Sequence, residues 1–256
     1  MIKLRDFLKK FDRVVIAFSG GVDSATLAAL CKDYVDVLAV TVVSQVTPTR
    51  EIREAERVAR EIGVNHEKIT TDMLTPEFRM NTSERCYICK RKMLSILLEF
   101  AKKEGYDAVF EGTNASDLQG HRPGYRAVKE INGVYSPWAE LGVTKDEVRK
   151  MARERGFSFS EKPSLACLAT RIPYGEEIDE EKLRMIDLAE NAIIEIAKVE
   201  QVRVRYYSKV GVIEVERDEI RKISDKAAEI GETLKNIGFR AVLLDLEGYR
   251  SGKTLF

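Results

Sequence analysis

The chain of 256 residues has room for one large domain or two unequal ones, and its 44% apolar content is enough for a real core. Lysine plus arginine and aspartate plus glutamate both number 42, which excludes a protein that coats nucleic acid through bulk charge but leaves room for a local basic channel. No apolar run is long enough to span a bilayer.

The opening Met1-Ile2-Lys3-Leu4-Arg5-Asp6 lacks the apolar stretch of a signal peptide, so a cytoplasmic location is expected. In a reducing compartment four cysteines point to metal or sulfur chemistry rather than to disulfides. Along the chain, residues 13–18 form an apolar strand and 23–33 a helix of small residues. Residues 37–43 are a β-branched strand, 48–62 a charged amphipathic helix and 66–70 a short strand. A long helix over 87–103 and a strand over 108–111 complete the alternation. This order implies a parallel sheet wrapped by helices, and a run such as Val14-Val15-Ile16 suits a strand buried on both faces. Residues 158–175 are less periodic and read as a functional loop. A helix over 179–198, a hairpin of 202–207 with 211–216, a helix near 223–237 and a strand over 241–244 then make a small α+β module.

The sharpest signal is Ser19-Gly20-Gly21-Val22-Asp23-Ser24, set between a strand and a helix. The glycines let backbone N–H groups close around an anion, and the helix N-terminus adds partial positive charge. Ser19 and Ser24 supply hydroxyls, and Asp23 can cap the helix or help hold Mg²⁺. The Gly-Lys-Ser/Thr ending of a Walker loop is missing. The string resembles instead the loop of PP-loop ATP pyrophosphatases, which cleave ATP between the α- and β-phosphates; a plain capped glycine turn is the alternative. Glu111-Gly112-Thr113-Asn114-Ala115-Ser116-Asp117 follows a second strand, so Gly112, Asn114 and Asp117 are expected to line the same crevice. A similar stretch lines the ATP site of PP-loop proteins; the alternative is an Asx-rich helix start.

Cys31 sits among apolar residues of a helix and reads as core packing. Cys86-Tyr87-Ile88-Cys89 and Cys167 leave three candidate thiolates. From spacing alone they suit a structural zinc, with His66 or His121 as fourth ligand, or an iron–sulfur cluster with one open iron; three unligated cysteines, one of them reactive, are the bland alternative.

Together these strings resemble one PP-loop family, the LarE sulfurtransferases of nickel-pincer cofactor synthesis, over the whole chain. The most specific stretch is Cys167-Leu168-Ala169-Thr170-Arg171-Ile172-Pro173-Tyr174-Gly175. Ile186-Asp187-Leu188-Ala189-Glu190, Val202-Arg203-Val204-Arg205 and Leu246-Glu247-Gly248-Tyr249-Arg250-Ser251-Gly252 extend it. The resemblance implies an α/β fold, with a PP-loop parallel-sheet domain over 1–170 and a smaller α+β substrate-binding or oligomerisation domain over 171–256. It implies an ATP- and Mg²⁺-dependent enzyme that adenylates a carboxylate of pyridinium-3,5-biscarboxylate mononucleotide and exchanges oxygen for sulfur. One branch of the family gives up the sulfur of a single cysteine at the position of Cys167. The other has an upstream cysteine pair, and with Cys86 and Cys89 this chain resembles that branch. A [4Fe-4S] cluster on Cys86, Cys89 and Cys167 is then implied, with zinc as the alternative.

Asp23, Cys167 and Arg171 are the catalytic candidates. Arg203 and Arg205 alternate along a strand and so share one face, which suits a phosphate; a solvated strand face is the bland alternative. Glu190 can pair with these arginines or bind a metal, and the family's matching residues line the substrate-phosphate side. The implied partners are a small nucleotide substrate, a sulfide donor, the carboxylase and nickel insertase of the pathway, and further copies of the chain in a homo-oligomer; neither membrane nor nucleic acid is expected. The rivals are a tRNA thiolase, which would bring an RNA-binding module, a PP-loop amide ligase, which needs no cysteine triplet, and a nucleotide-binding zinc module without catalysis.

Overall fold

The computed structural model describes residues 2–119, 123–163 and 166–250. The chain divides into two compact units. The first contains Met1–Ser44, Arg50–Met73 and Glu84–Leu165; the second contains Gln45–Thr49, Leu74–Ser83 and Ala166–Phe256. Two short segments thus group with the second unit although chain order places them inside the first.

The elements begin with α1 (Ile2–Leu8), β1 (Arg13–Ala17), α2 (Val22–Cys31), β2 (Asp36–Val43), α3 (Thr49–Ile62) and β3 (Asn65–Thr70). They continue with α4 (Pro76–Arg79), α5 (Arg85–Lys103) and β4 (Ala108–Phe110). In the first unit β3-β2-β1-β4-β5 form a parallel sheet, in which β5 is Val134–Tyr135. Val14, Val15 and Ile16 are each 0% exposed, as expected for a strand covered on both sides. Val14 and Ile16 join the core built with α1, α2 and Trp138; Val15 joins Leu94, Leu97 and Ala101 of α5 on the opposite face. Growth of the sheet runs from β1 outward to β3, then returns to place β4 on the other side of β1. The reversal leaves a crevice beyond the carboxyl ends of β1 and β4, where open α/β sheets bind ligands.

The region after the 112–117 loop holds elements that the sequence reading did not assign: α6 (Pro123–Glu130), α7 (Pro137–Glu140) and α8 (Lys145–Glu154). Helix α8 starts with a full capping box, Thr144 accepting from the Glu147 N–H while Glu147 accepts from the Thr144 N–H. The 158–175 stretch contains two 3₁₀ turns, Ser158–Glu161 and Leu168–Arg171.

In the second unit α9 (Glu180–Ala197) is capped by Asp179, whose carboxylate accepts from the Lys182 N–H at 2.8 Å. It packs on the hairpin β6 (Val202–Tyr207) and β7 (Val210–Val215), and β8 (Ala241–Leu244) joins β7 in parallel. The helix expected over 223–237 is two helices, α10 (Ile220–Asp225) and α11 (Ala227–Ile237), broken at Lys226. Gly211 lies against the Phe239 ring so closely that a Cβ there would sit 2.9 Å from Cδ1.

The β6–β7 turn places Ser208 at φ 47° and Lys209 at φ 67°, both left-handed, as a two-residue hairpin of this twist demands. Neither side chain favours that region. Replacing the exposed pair with Asn-Gly is expected to stabilise the protein by about 1 kcal/mol. A higher urea midpoint checks this; an unchanged one would show that the turn carries no such cost.

Candidate functional site

The loop after β1 is shaped by its own hydroxyls. Ser24 Oγ accepts from the Ser19 N–H at 3.2 Å and donates to the Gly21 carbonyl at 3.3 Å, while Ser19 Oγ accepts from the Gly21 N–H at 3.3 Å. Gly20 has φ +67°, and a Cβ there would meet the Ala55 Cα at 2.7 Å, so the loop lies directly on α3. No side chain caps α2, which leaves its first-turn N–H groups for an anion. Asp23 therefore does not take the capping role open to it in the sequence.

The loop after β4 is pressed against this one. A Cβ at Gly112 would lie 2.9 Å from the Ser24 nitrogen and 3.1 Å from the Asp23 Cβ. Asn114 and Asp117 cap each other: Asn114 Oδ1 accepts from the Asp117 N–H at 3.1 Å, and Asp117 Oδ2 accepts from the Asn114 N–H at 3.3 Å. Asn114 also donates through Nδ2 to Asp23 Oδ1 at 3.0 Å, so the Asx-rich turn and the contact to the phosphate loop coexist. Asp23 Oδ2 is paired with Lys145, and the Asp23 carbonyl accepts from the Trp138 indole at 3.0 Å.

Three cationic or acidic residues of this region were not singled out from sequence. Lys145 is one. Lys162 donates to the Gly20 carbonyl at 3.3 Å, with burial lowering its pKa against the pull of Glu51 and Glu54. Glu111, 1% exposed, accepts from Lys90 Nζ at 2.6 Å, from the Thr113 hydroxyl at 2.7 Å and from Ser136. Burial would raise its pKa, but the Lys90 charge and these hydrogen bonds leave it below the usual carboxylate range. Glu111 thereby ties α5, the helix of the cysteine pair, to the turn at Thr113.

Cys86 and Cys89 lie one turn apart on the same side of α5, the first exposed and the second half-buried, with Cys89 Sγ 3.7 Å from Met93 Sδ. Cys31 is fully buried in the core, and burial pushes its thiol up. Cys167 belongs to the second unit, at the start of the Leu168–Arg171 turn, half-buried. Among the described residues no group of three or more His, Cys, Asp or Glu gathers as a metal centre. His66 donates to Thr41, whose hydroxyl donates to the Phe18 carbonyl at 2.7 Å; His121 lies outside the described residues.

In the second unit Glu190 takes Arg171 as partner. Arg171 is 1% exposed; its Nε and Nη2 reach the two Glu190 oxygens at 2.8 and 3.0 Å, and Nη1 donates to the Cys167 carbonyl at 2.9 Å. Glu190 Oε1 also accepts from the Val204 N–H at 3.0 Å. Burial opposes the Arg171 charge, but Glu190 outweighs it and holds the guanidinium charged, with Cys167 adding to the same pull. Arg171 thus acts on Cys167 through the backbone. Arg203 and Arg205 are not on a solvated face. Arg203 is 2% exposed beneath Tyr249, and Arg205 reaches buried Glu214 through Nε and Nη2, each at 3.0 Å.

The sequence matches the family model described as NAD synthase over residues 3–183. It is 39% identical over 255 residues to an uncharacterised protein of Synechocystis sp., covering 98% of this chain and 94% of that protein. It is 34% identical over 254 residues to an uncharacterised protein of Methanocaldococcus jannaschii, covering 98% and 97%. Over 250 residues it is 31% identical to the pyridinium-3,5-bisthiocarboxylic acid mononucleotide synthase of Lactiplantibacillus plantarum, covering 96% and 90%.

Two outcomes are expected from the geometry. Arg171→Met takes the counter-charge from the buried Glu190 carboxylate and costs about 3–5 kcal/mol, whereas Arg171→Met with Glu190→Met costs less than the two single losses added. Urea unfolding in a double-mutant cycle checks this, and additive losses would show the pair is uncoupled. Burial, with a smaller push from Lys68 and against the pull of Glu56, holds His66 below its ordinary value of about 6.5. Its contribution to stability is whole above that value and is lost as pH falls through the depressed one. The urea midpoint should therefore drop on acidification, and His66→Gln should flatten that slope.

Proposed function

The chain belongs to the LarE family of PP-loop enzymes, within the wider NAD synthase family, and from that premise we propose an ATP-dependent sulfurtransferase. Its substrate in this reading is pyridinium-3,5-biscarboxylate mononucleotide. The observation that carries the ATP half is the seating of Gly112 on the first turn of α2, which brings the Asp23 and Asn114 side chains together beside an uncapped helix N-terminus. The name of the 31% identical relative supports the substrate half.

The first-turn N–H groups of α2 bind and orient the β- and γ-phosphates, and Asp23 holds Mg²⁺. When bound, Mg²⁺ supplies positive charge to the departing pyrophosphate. A substrate carboxylate oxygen attacks the α-phosphorus, and the bond to pyrophosphate breaks. The acyl-adenylate then gives a sulfur nucleophile a carbon it can attack, with AMP carrying away the oxygen and the sulfur-bound proton passing to solvent. Arg171 and Glu190 hold the backbone of Cys167 in place during this second step. Arg203 and Arg205 are proposed to receive the substrate phosphate, Arg205 without leaving Glu214 and Arg203 once Tyr249 uncovers it.

Cys86, Cys89 and Cys167 are proposed to hold a [4Fe-4S] cluster. What supports the reading is the chemistry of the donors: soft thiols, two on one helix turn and none of the three in the core. When bound, such a cluster with an open iron supplies the sulfide. A structural zinc leaves Cys167 itself as the sulfur source. A sulfide donor, the pathway's carboxylase and nickel insertase, and assembly as a homo-oligomer complete the proposal.

Anaerobic incubation with ATP, Mg²⁺, sulfide and the biscarboxylate mononucleotide is expected to release AMP and pyrophosphate and to yield a product heavier by one oxygen-to-sulfur exchange. Cys167→Ala should abolish that mass gain but keep part of the pyrophosphate release; equal loss of both in a folded, ATP-binding variant would sink the division of roles. About four irons per chain, lost in Cys86→Ala, would support the cluster. About one zinc and no iron would make the metal structural, and loss of one sulfur from Cys167 during turnover would then identify it as the donor.

A further inference from the structure

Asp23 is the candidate Mg²⁺ ligand, yet both of its oxygens are engaged. Oδ1 accepts from Asn114 at 3.0 Å and Oδ2 is paired with the Lys145 ammonium. Lys145 is held from several directions. It is the first residue of α8, directly after the Thr144 of the capping box, and its own N–H donates to Ser116 Oγ at 3.1 Å. The preceding Val143 N–H bonds to the Trp138 carbonyl at 2.8 Å, and the Trp138 indole grips the Asp23 carbonyl. The ammonium is therefore aimed at the first turn of α2 from a fixed base, and the side chains of Lys145 and Asp23 are each 24% exposed.

A divalent cation and an ammonium repel each other too strongly to share one carboxylate oxygen. A metal on Oδ2 displaces Lys145, and a metal on Oδ1 is opposed by the ammonium across the same carboxylate. The displaced ammonium remains tethered beside the N-terminus of α2, where its natural new partner is the anion bound there. We propose that Lys145 is an exchange residue. It neutralises Asp23 in the nucleotide-free protein, resists metal alone, and moves onto the polyphosphate when Mg²⁺ and nucleotide arrive together. Lys145 thereby couples the two binding events and keeps the site from filling with metal before ATP is present. This inference rests on the ATP-site reading above and deepens it.

The test uses full-length protein, Mn²⁺ alone followed by its free-ion spin resonance signal, and Mg²⁺ with α,β-methylene-ATP followed by calorimetry. Lys145→Gln is expected to bind Mn²⁺ alone about tenfold more tightly than wild type, and magnesium α,β-methylene-ATP about tenfold more weakly. The opposite signs are the signature, since mere structural damage would weaken both. Asp23→Asn should remove the Mn²⁺ site in either background. If both affinities of Lys145→Gln move the same way, or neither moves, while wild type binds the nucleotide, the exchange is wrong and the ATP site stands. If wild type binds no magnesium α,β-methylene-ATP, the ATP reading falls and the exchange with it.

Discussion

The contact between Gly112 and the first turn of α2 is the constraint on which the rest of the first unit depends. Strands β1 and β4 are hydrogen-bonded neighbours, so the chains leaving their carboxyl ends start only about 4.8 Å apart. Two loops emerging that close together have no room for a side chain between them, and a Cβ at Gly112 would meet a backbone nitrogen at 2.9 Å. Backbone on backbone is the only solution, and it brings Asn114 within reach of Asp23. The same closeness brings Trp138 to the Asp23 carbonyl, because the Ala139 N–H bonds to the Thr113 carbonyl and the Ala115 N–H to that of Val143. Four segments of sequence thus converge on one helix turn through a single missing methyl group.

What could be read from sequence follows the same logic. The Ser-Gly-Gly-x-Asp-Ser string is local, and its geometry is set by residues within six positions, so loop, strand and helix were legible together. The burial of Cys31 was legible too, because helical periodicity fixes a face without knowledge of what covers it. Lys145 was not, and Glu111, though it opens the second string, gave no sign of its tie to Lys90. Their partners lie far along the chain, 122 residues away for Lys145 with Asp23 and 21 for Glu111 with Lys90. A local signal for α8 did exist, the Thr144-Lys145-Asp146-Glu147 capping box, and it would have placed Lys145 at a helix start without revealing what it faces. The break in the helix of residues 220–237 was illegible for another reason: it falls at Lys226, with no Gly or Pro to mark it.

The second unit concentrates charge in its interior. Arg171 with Glu190 and Arg205 with Glu214 are buried pairs, and the carboxylate side chains are 1% and 0% exposed. Such pairs seldom add net stability over an apolar core of equal volume, because desolvation consumes the Coulombic gain. What they do impose is uniqueness. The Arg171 guanidinium serves the carbonyls of residues 166 and 167 while Glu190 serves the N–H of Val204, so loop, α9 and β6 are fixed together in one arrangement. A leucine and methionine pair could fill that space but could not fix the orientation of the Cys167 backbone.

The contrast with Asp23 and Lys145 turns on solvent. Opening the Arg205–Glu214 pair would leave a carboxylate with 0% exposure uncompensated, a cost of several kcal/mol before any new contact forms. Opening the Asp23–Lys145 pair leaves two groups that are each 24% exposed and can be partly rehydrated at once. The same chemical motif, a cation held by a carboxylate, is therefore costly to open in one unit and cheaper to open in the other. Burial, rather than the identity of the residues, separates a fixture from a switch. In the first unit the pair lies in the proposed ATP site, where the proposed exchange has charge change partners. In the second the pairs hold a backbone whose usefulness depends on not moving.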